Sequence, residues 1–240
     1  MPKDSTISCY DSHSNKYDSY QFAVVPQYQE MLEMVAATVH HYLGEKGARA
    51  MMLDLGCGTG NASLAILNKV SAKIFLVDGS EKMIDIARQK IGSEFPGSIA
   101  GQKAANLSGS DWDRDLGSHE YDVVVSTLVL EHLPFDRYKA ALKKSYGILA
   151  PGGWLIAVEG FEEEGSDIVD WFNRQMEENR SQLDPGLSDF VSKLREQKEI
   201  HYYASKRQKE DWWRQAGFEN VVVLWQYLCI ALMAGRKPVS

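Results

Sequence analysis

The segment LDLGCGTGNA (residues 53–62) places three glycines within five positions, directly after an apolar run. Glycine weakens both helices and strands, so such a cluster is typical of a loop where the backbone turns tightly or approaches a ligand closely. A strand-like run, Ala50–Leu55, leads into the cluster, and a helix-like run, NASLAILNKV, begins at its end. The pattern therefore predicts a strand–loop–helix unit that binds a nucleotide-type cofactor.

The spacing of the glycines separates the classes of ligand that such a loop can hold. A phosphate-binding loop requires Gly-Lys followed by Ser or Thr, whereas Gly60 is followed by Asn61 and Ala62. A dinucleotide loop has the pattern G-x-G-x-x-G, but Gly56, Gly58 and Gly60 give G-x-G-x-G. Neither phosphate pattern fits this loop.

Two aspartates beside the loop indicate a different cofactor. Asp78 lies 18 residues after Gly60, at the C-terminal end of the second predicted strand, where a carboxylate can accept hydrogen bonds from ribose hydroxyls. Asp54 places a second carboxylate directly before the loop. Two carboxylates repel a pyrophosphate but attract a sulfonium and an ammonium group, so the charges favour S-adenosylmethionine over a dinucleotide.

The order of the predicted elements indicates the fold class. Short apolar strands alternate with helices as far as Glu159, which predicts an α/β, doubly wound sheet covered on both faces. A weak strand is expected around Lys103–Leu107. Near the C-terminus, only two residues separate the strand-like runs Val221–Trp225 and Leu228–Ala234. A parallel crossover needs a dozen or more residues, so this pair is predicted to form an antiparallel hairpin.

The chain is expected to form a single domain over residues 1–240. Residues 1–45 are predicted to supply an N-terminal lid and a helix. Residues 161–203 interrupt the alternation of strands and helices and are predicted to be a helical cap insertion. One cap helix is indicated by Trp171, Phe172 and Met176, and a second by Phe190 with Leu194.

Composition limits the expected partners and location. The formal net charge of −7 argues against a nucleic-acid backbone as the main partner, since phosphate binding requires a basic surface. The three cysteines lie far apart, which gives neither a disulfide framework nor a zinc spacing, and no metal is expected. No apolar stretch is long enough to span a membrane, and the N-terminus lacks an apolar signal core. We expect a cytoplasmic protein, monomeric or homodimeric, that acts on a small molecule.

Four motifs in this order resemble the class I S-adenosylmethionine-dependent methyltransferases: LDLGCGTG, LVDGS, YDVVVSTLVLEHL and LAPGGWLIAVE. The resemblance extends from about Ala50 to Lys237. It implies a Rossmann-like, seven-stranded sheet whose last strand is antiparallel, in agreement with the predicted hairpin. It also implies a methyl-transfer reaction in which the cofactor is S-adenosylmethionine.

The same resemblance implies a set of cofactor-binding residues in this chain. The loop residues would line the methionine and ribose part, Asp54 would act on the amino end, and Asp78 would hold the ribose. Met83 would pack on the adenine. The full set is Tyr20, Tyr28, Asp54, Gly56, Cys57, Gly58, Asp78, Gly79, Met83, Asn106, Leu107 and Thr127. Many members of the family have an aspartate near the position of Asn106, so this chain departs from the pattern there.

The segments VVPQYQEML and AGFENVVVLWQYLCIALMAGRK resemble the branch that contains carboxy-S-adenosylmethionine synthase. In that branch the tyrosine that matches Tyr28 contacts the cofactor. Trp212 stands where an arginine of that branch holds the extra carboxylate of the cofactor.

Two alternatives to methyl transfer therefore stay open. One is other chemistry on the same cofactor, either cyclisation that releases methylthioadenosine or modification of the methyl group. The other is cofactor binding without catalysis.

Three residues are candidates for a catalytic role. His132 lies just beyond the fourth strand, and a histidine can act as a general base near neutral pH. Glu159 ends the following strand, on the side where ligands collect in α/β sheets. Tyr28 is the third candidate. The cluster His201-Tyr202-Tyr203 follows the cap and can face a substrate.

Overall fold

Seven strands form one sheet in the order β3-β2-β1-β4-β5-β7-β6. The computed structural model describes residues 16–44, 49–117, 120–163, 165–183, 185–188, 192 and 201–239. The strands are β1 (Met51–Leu55), β2 (Lys73–Asp78), β3 (Ile99–Ala104), β4 (Tyr121–Thr127), β5 (Leu149–Gly160), β6 (Glu219–Tyr227) and β7 (Ile230–Arg236). The predicted α/β class is confirmed.

The C-terminal hairpin has the predicted geometry. β7 runs antiparallel to both β5 and β6, and Tyr227 pairs with Ile230 across the turn. The pairs β1–β2, β1–β4, β2–β3 and β4–β5 are all parallel. β7 therefore enters the sheet between β5 and β6 in the reverse direction.

Helices cover both faces of the sheet. They are α1 (residues 16–24), α2 (Tyr28–Leu43), α3 (Asn61–Leu67), α4 (Glu81–Glu94), α5 (Phe135–Ile148), α6 (Ser166–Ser181) and α7 (Lys206–Gln215). α2, α3 and α4 pack on one face, where Met52, Ile74 and Val123 point. α5 and α7 pack on the other face of the sheet. Leu53 and Val124, the next residues along β1 and β4, point to that face. This alternation keeps the parallel strands apolar on both sides.

Ser80 caps the start of α4. The Ser80 Oγ accepts a hydrogen bond of 3.1 Å from the Met83 N–H and satisfies one of the free donors of the first turn of α4. Such a cap contributes about 1 kcal/mol to helix stability. It fixes the start of α4 directly after Asp78, beside the glycine loop.

Two boundaries differ from the expectations. β3 covers Ile99–Ala104 and not Lys103–Leu107, because a turn closes after α4 and the Ile74 N–H donates to the Ser98 carbonyl at 2.8 Å. β3 is an edge strand with one exposed face, so it lacks the apolar run that marks an inner strand. The segment after β4 forms only a short 3₁₀ helix, Leu130–His132, before α5 begins.

The structure describes only part of the predicted cap insertion, residues 161–203. α6 forms as expected, but none of its residues is buried, and Trp171 is 49% exposed. The predicted second cap helix, marked by Phe190 and Leu194, lies outside the described residues.

Candidate active site

The glycine loop is held against the end of β2. The backbone N–H groups of Gly56 and Cys57 both donate to the Val77 carbonyl, at 2.7 and 2.9 Å. Gly56 has a φ of +78°, and a Cβ there would lie 2.5 Å from the methyl groups of Val129. Only glycine fits this position, which brings the loop backbone close to the segment after β4.

The Asp78 carboxylate connects the loop to α4. Its Oδ2 accepts from the Gly58 N–H at 2.8 Å, and its Oδ1 accepts from the Ser80 N–H at 2.8 Å. These bonds fix the orientation of a carboxylate at the C-terminal end of β2, the edge of an α/β sheet where ligands bind. Gly79, in the turn that these bonds enclose, is partly buried.

Asp54 lies beneath the loop and is almost fully buried, with 2% of its surface exposed. Its Oδ2 accepts a hydrogen bond of 2.5 Å from the Ser63 hydroxyl. Its Oδ1 is buried and has no hydrogen-bond partner among the described residues. The pKa of Asp54 is raised to about 6. Burial of the carboxyl is the main cause, and the nearby negative charge of Asp78 adds a smaller part. The site therefore contains a buried acceptor oxygen that a bound cation or N–H group would satisfy.

Cys57 has a structural place in the loop. Its side chain is 6% exposed, and its Sγ donates to the Gly58 carbonyl at 3.6 Å. Burial raises the pKa of the thiol well above its usual value. A buried, protonated thiol is unreactive, so Cys57 contributes its small size and not a nucleophile.

α1 lies over the glycine loop. The Asp18 carboxylate accepts hydrogen bonds from the Thr59 hydroxyl and, at 3.0 Å, from the Asn61 amide, and it pairs with Lys90 at 2.8 Å. The ring of Tyr17 lies 3.6 Å from the position that a Cβ on Gly58 would take. This arrangement fits the expected N-terminal lid.

Tyr28 is part of the packing beneath the lid. Its hydroxyl accepts from the Asn61 amide at 3.3 Å, and its ring meets that of Phe22 edge to face at 4.9 Å. Only 8% of Tyr28 is exposed, and burial raises its pKa to about 12. This geometry supports the loop from the α2 side. Tyr28 does not line the cavity described next, whereas Tyr20 does.

A cavity of about 600 Å³ adjoins the loop. Tyr17 contacts both, since its ring lies over Gly58 and also lines the cavity. Leu128 lines the cavity as well, and the next residue, Val129, packs on Gly56. The remaining wall comes from α1, α6, the ends of β5 and β7, and the segments after β4 and before α7. Its side chains include Tyr20, Glu131, His132, Phe161, Glu162, Phe172, Met176, Arg180, His201 and Tyr203.

One wall of the cavity carries acid–base groups. The His132 and His201 rings lie with their centroids 4.5 Å apart, and Tyr203 stacks on His201 at 5.3 Å. The structure thus places His132 at the cavity, as expected of a catalytic candidate. Glu131, the residue before it, lines the same wall.

Glu159 lies outside the cavity lining and within the core. Its Oε2 pairs with the Lys209 Nζ at 2.5 Å, and its Oε1 accepts from the Tyr138 hydroxyl at 2.9 Å. The side chains of Glu159 and Lys209 are 0% and 1% exposed. Both carboxylate oxygens are occupied, so the candidate Glu159 has the geometry of a structural group.

The other predicted cofactor residues surround the loop. Met83 and Leu107 are buried, and Thr127 ends β4 with a partly exposed side chain. The Asn106 Oδ1 accepts from the Ser108 N–H at 2.9 Å and shapes the turn after β3. These positions are consistent with the predicted roles, which stay predictions.

Sequence reasoning missed several residues of the site. Glu131 lines the cavity beside the predicted candidate His132, and a glutamate in the segment that follows an apolar strand is a detectable signal. Asp18 lies in a polar segment without periodicity, so nothing in the sequence indicated its contact with the loop. Phe172 and Met176, which indicate the first cap helix in the sequence, also line the cavity.

Trp212 packs away from the cavity. Its ring lies 5.2 Å from that of Phe135 and 5.6 Å from that of Tyr138. Arg214, which is close to it in sequence, pairs with Glu210 at 2.9 Å on the exposed side of α7. Neither side chain lines the cavity.

Two features are absent from the part of the chain that the structure describes. No helix there is long and apolar enough to cross a membrane. No group of three or more His, Cys, Asp or Glu residues there could hold a metal ion.

Similar proteins identify the family. The family profile described as "Methyltransferase domain" matches residues 28–223. The chain is 28% identical over 150 residues to the tRNA N(3)-methylcytidine methyltransferase trm140 of Schizosaccharomyces pombe, an alignment that covers 61% of this chain and 46% of that protein. It is 27% identical over 222 residues to the carboxy-S-adenosyl-L-methionine synthase of Chromohalobacter salexigens, covering 89% and 77%.

Solved structures show the same fold. Magnesium protoporphyrin IX methyltransferase (ChlM) from Synechocystis PCC 6803, solved with bound SAH, superposes with a TM-score of 0.68 at 17% identity, covering 96% of this chain and 97% of that one. The chain spans about half the length of the S. pombe relative. It belongs to the class I S-adenosylmethionine-dependent methyltransferase family, as its motifs predicted.

Proposed function

We propose that this protein transfers a methyl group from S-adenosylmethionine to a small molecule held in the 600 Å³ cavity. The observation that carries this proposal is the position of Tyr17, which covers the glycine loop and also lines the cavity. A donor on the loop and an acceptor in the cavity would share this wall. Adjacent sites of this kind allow in-line attack without large movement.

The residues present fit the cofactor. The Asp78 carboxylate, fixed by two backbone N–H groups, would accept the ribose hydroxyls. The buried Oδ1 of Asp54 lacks a partner among the described residues and would favour the positive amino end. Gly58 leaves room for close approach of the ligand to the backbone. When bound, the cofactor supplies an electrophilic methyl group on a sulfonium.

The chain's own contribution is to position the reactants and exclude water. Asp18 holds α1 over the loop through Thr59, Asn61 and Lys90. This lid and the aromatic cavity wall would remove water from the sulfonium and from the attacking atom. Positioning of two reactants can supply about 7–11 kcal/mol of the barrier, so no covalent intermediate with the protein is needed.

A small acceptor fits this site better than a nucleic acid. The cavity volume lies within the range of about 300–1,000 Å³ that is typical of small-molecule sites. The net charge of −7 disfavours a polyphosphate backbone, although one relative is a tRNA methyltransferase. We further propose a single domain over residues 1–240 that acts in the cytoplasm as a monomer or homodimer.

The cofactor assignment can be tested by ligand stabilisation. S-adenosylmethionine and S-adenosylhomocysteine should raise the melting temperature of the protein, whereas NAD should not. Tighter binding of NAD in isothermal titration would overturn the assignment.

The reaction can be tested by its nucleoside product. The protein is incubated with S-adenosylmethionine and a small-molecule extract, and in parallel with tRNA or with no acceptor. Methyl transfer to a small molecule predicts S-adenosylhomocysteine with the extract alone. Product with tRNA only would contradict the proposed acceptor class. Methylthioadenosine above the buffer rate without acceptor would contradict methyl transfer itself.

A further inference from the structure

Glu131 combines burial with a place in the cavity wall. It is 4% exposed and belongs to the 3₁₀ turn that follows β4. Its Oε2 is buried and has no hydrogen-bond partner in the described part of the chain. A buried carboxylate oxygen without a partner is costly, which indicates a group kept for a ligand.

The backbone around Glu131 is fixed on both sides. Its carbonyl accepts from the Tyr202 N–H at 2.7 Å, and the His132 N–H donates to the Val129 carbonyl at 3.1 Å. Val129 in turn packs against Gly56 of the loop. The turn that carries Glu131 is therefore attached directly to the loop of the proposed cofactor site.

The charges that face Glu131 come from three other parts of the chain. Glu159 on β5 and Lys209 on α7 form the buried ion pair behind it, and His201 lies before α7. His132 is adjacent and contacts His201. Burial raises the pKa of Glu131 to about 7, with Lys209 and His201 opposing the shift and Glu159 adding to it. A general base works best when its pKa lies near the operating pH.

We propose that Glu131 accepts the proton of the acceptor's attacking O–H or N–H group. This inference rests on the proposed methyl transfer. The O–H or N–H bond breaks with its electrons left on the acceptor atom, which forms the new bond to the methyl carbon. The electrons of the broken carbon–sulfur bond remain on sulfur, and the proton goes to the Glu131 Oε2. The carboxyl is neutral at the end of the step and returns its proton to water.

The aromatic side chains of the cavity wall indicate the class of acceptor. Tyr203 and His201 stack nearly parallel, with 13° between their planes, and Phe172 with Tyr20 provides further aromatic surface. Flat apolar walls with one buried acid–base group suit a planar aromatic molecule that carries a phenolic O–H or a ring N–H.

The first test reads the carboxyl directly and needs neither cofactor nor acceptor. The full chain is labelled with ¹³C at the glutamate carboxyl carbons and titrated by NMR, as wild type, Glu131→Gln and Glu162→Gln. Glu162 is the matched control, since it lines the same cavity but is exposed. We expect a resonance with a midpoint near pH 7 that is lost only in Glu131→Gln. A Glu131 midpoint near the ordinary 4.3 would overturn the proposal.

The second test uses the acceptor identified by the product assay. Glu131→Gln should lower kcat/KM by about 100-fold at pH 8 and remove the rise of kcat/KM with pH around 7. Glu131→Asp should keep that pH dependence at a lower rate. Glu94→Gln, at an exposed glutamate that ends α4 outside the cavity, should stay within about 3-fold of wild type. A Glu131→Gln enzyme with the wild-type rate and pH profile would refute the proton-transfer role. Absence of any methylated product in wild type would instead count against the proposed function.

Discussion

The buried pair of Glu159 and Lys209 allows a structural role to be separated from a catalytic one. Glu159→Gln keeps the shape and the acceptor for the Tyr138 hydroxyl. It removes the Glu159 charge from the buried Lys209 ammonium, which also donates to the Gly160 carbonyl at 3.1 Å. Removal of one partner of a buried pair costs about 3–5 kcal/mol, because the other charge is left uncompensated. That is a large part of the stability of about 5–15 kcal/mol expected of a domain.

Urea unfolding monitored by tryptophan fluorescence measures this loss. Trp213 reports on the site directly, since its Nε1–H donates to the Tyr138 hydroxyl at 2.9 Å. We expect Glu159→Gln and Lys209→Met each to lower the free energy of unfolding by about 3–5 kcal/mol. The double variant should recover most of that loss, because no unpaired charge remains. A loss below about 1 kcal/mol in both single variants would refute the uncompensated-charge argument.

The same double variant decides whether Glu159 takes part in catalysis. If Glu159 only holds Lys209, the refolded double variant should retain methyl transfer within about 10-fold of wild type, which is a change of 1.4 kcal/mol. A stable double variant with activity reduced by more than about 1,000-fold would restore Glu159 as a catalytic group.

Four further perturbations test other parts of the site. Asp78→Ala should weaken S-adenosylmethionine binding about 100-fold by isothermal titration, because two charge-assisted hydrogen bonds are lost; unchanged affinity would place the ribose elsewhere. Asp18→Ala should release α1, so trypsin should cleave the N-terminal segment faster while the melting temperature changes little. Gly56→Ala should lower the melting temperature, because the new Cβ lies 2.5 Å from Val129 at a φ of +78°. The pKa of the Glu131 carboxyl rises from an ordinary 4.5 to about 7 on folding. The contribution of its protonation to the free energy of unfolding is therefore full below pH 4.5 and is lost as the pH rises through 7. Glu131→Gln should remove about 3 kcal/mol of that pH dependence in urea titrations.

Local signals were enough to predict the fold. Only two residues separate the C-terminal strand runs, which is too few for a parallel connection. The antiparallel hairpin therefore follows from the length of that connection alone. Ser80 caps α4 as its residue type predicts. β3 was misplaced because Gly101, Gln102 and Lys103 on an edge strand do not resemble a buried strand.

The acceptor side of the site could not be predicted in the same way. The glycine loop and Asp78 come from one continuous strand–helix–strand unit, β1, α3 and β2, so their proximity follows from the sequence. The cavity brings together α1, α6, the turn at Glu131 and the segment before α7, and these contacts depend on tertiary packing. Glu159 shows the reverse case, since its position at a strand end is typical of a ligand-binding residue, whereas its contact with Lys209 depends on tertiary packing.

Three buried carboxylates in the described part of the chain differ in how their charge is compensated. Glu159 has Lys209 and the Tyr138 hydroxyl, so its burial is complete without a ligand. Asp54 and Glu131 each have one oxygen without a partner among the described residues, and burial raises the pKa of both. Their burial therefore makes the folded state less stable as the pH rises to neutrality. Asp54 lies beneath the glycine loop and Glu131 in the cavity wall, the two places that the proposed methyl donor and acceptor would occupy. The buried oxygens at these two positions are best accounted for by ligands that supply the missing hydrogen bonds, a cation at Asp54 and an O–H or N–H group at Glu131.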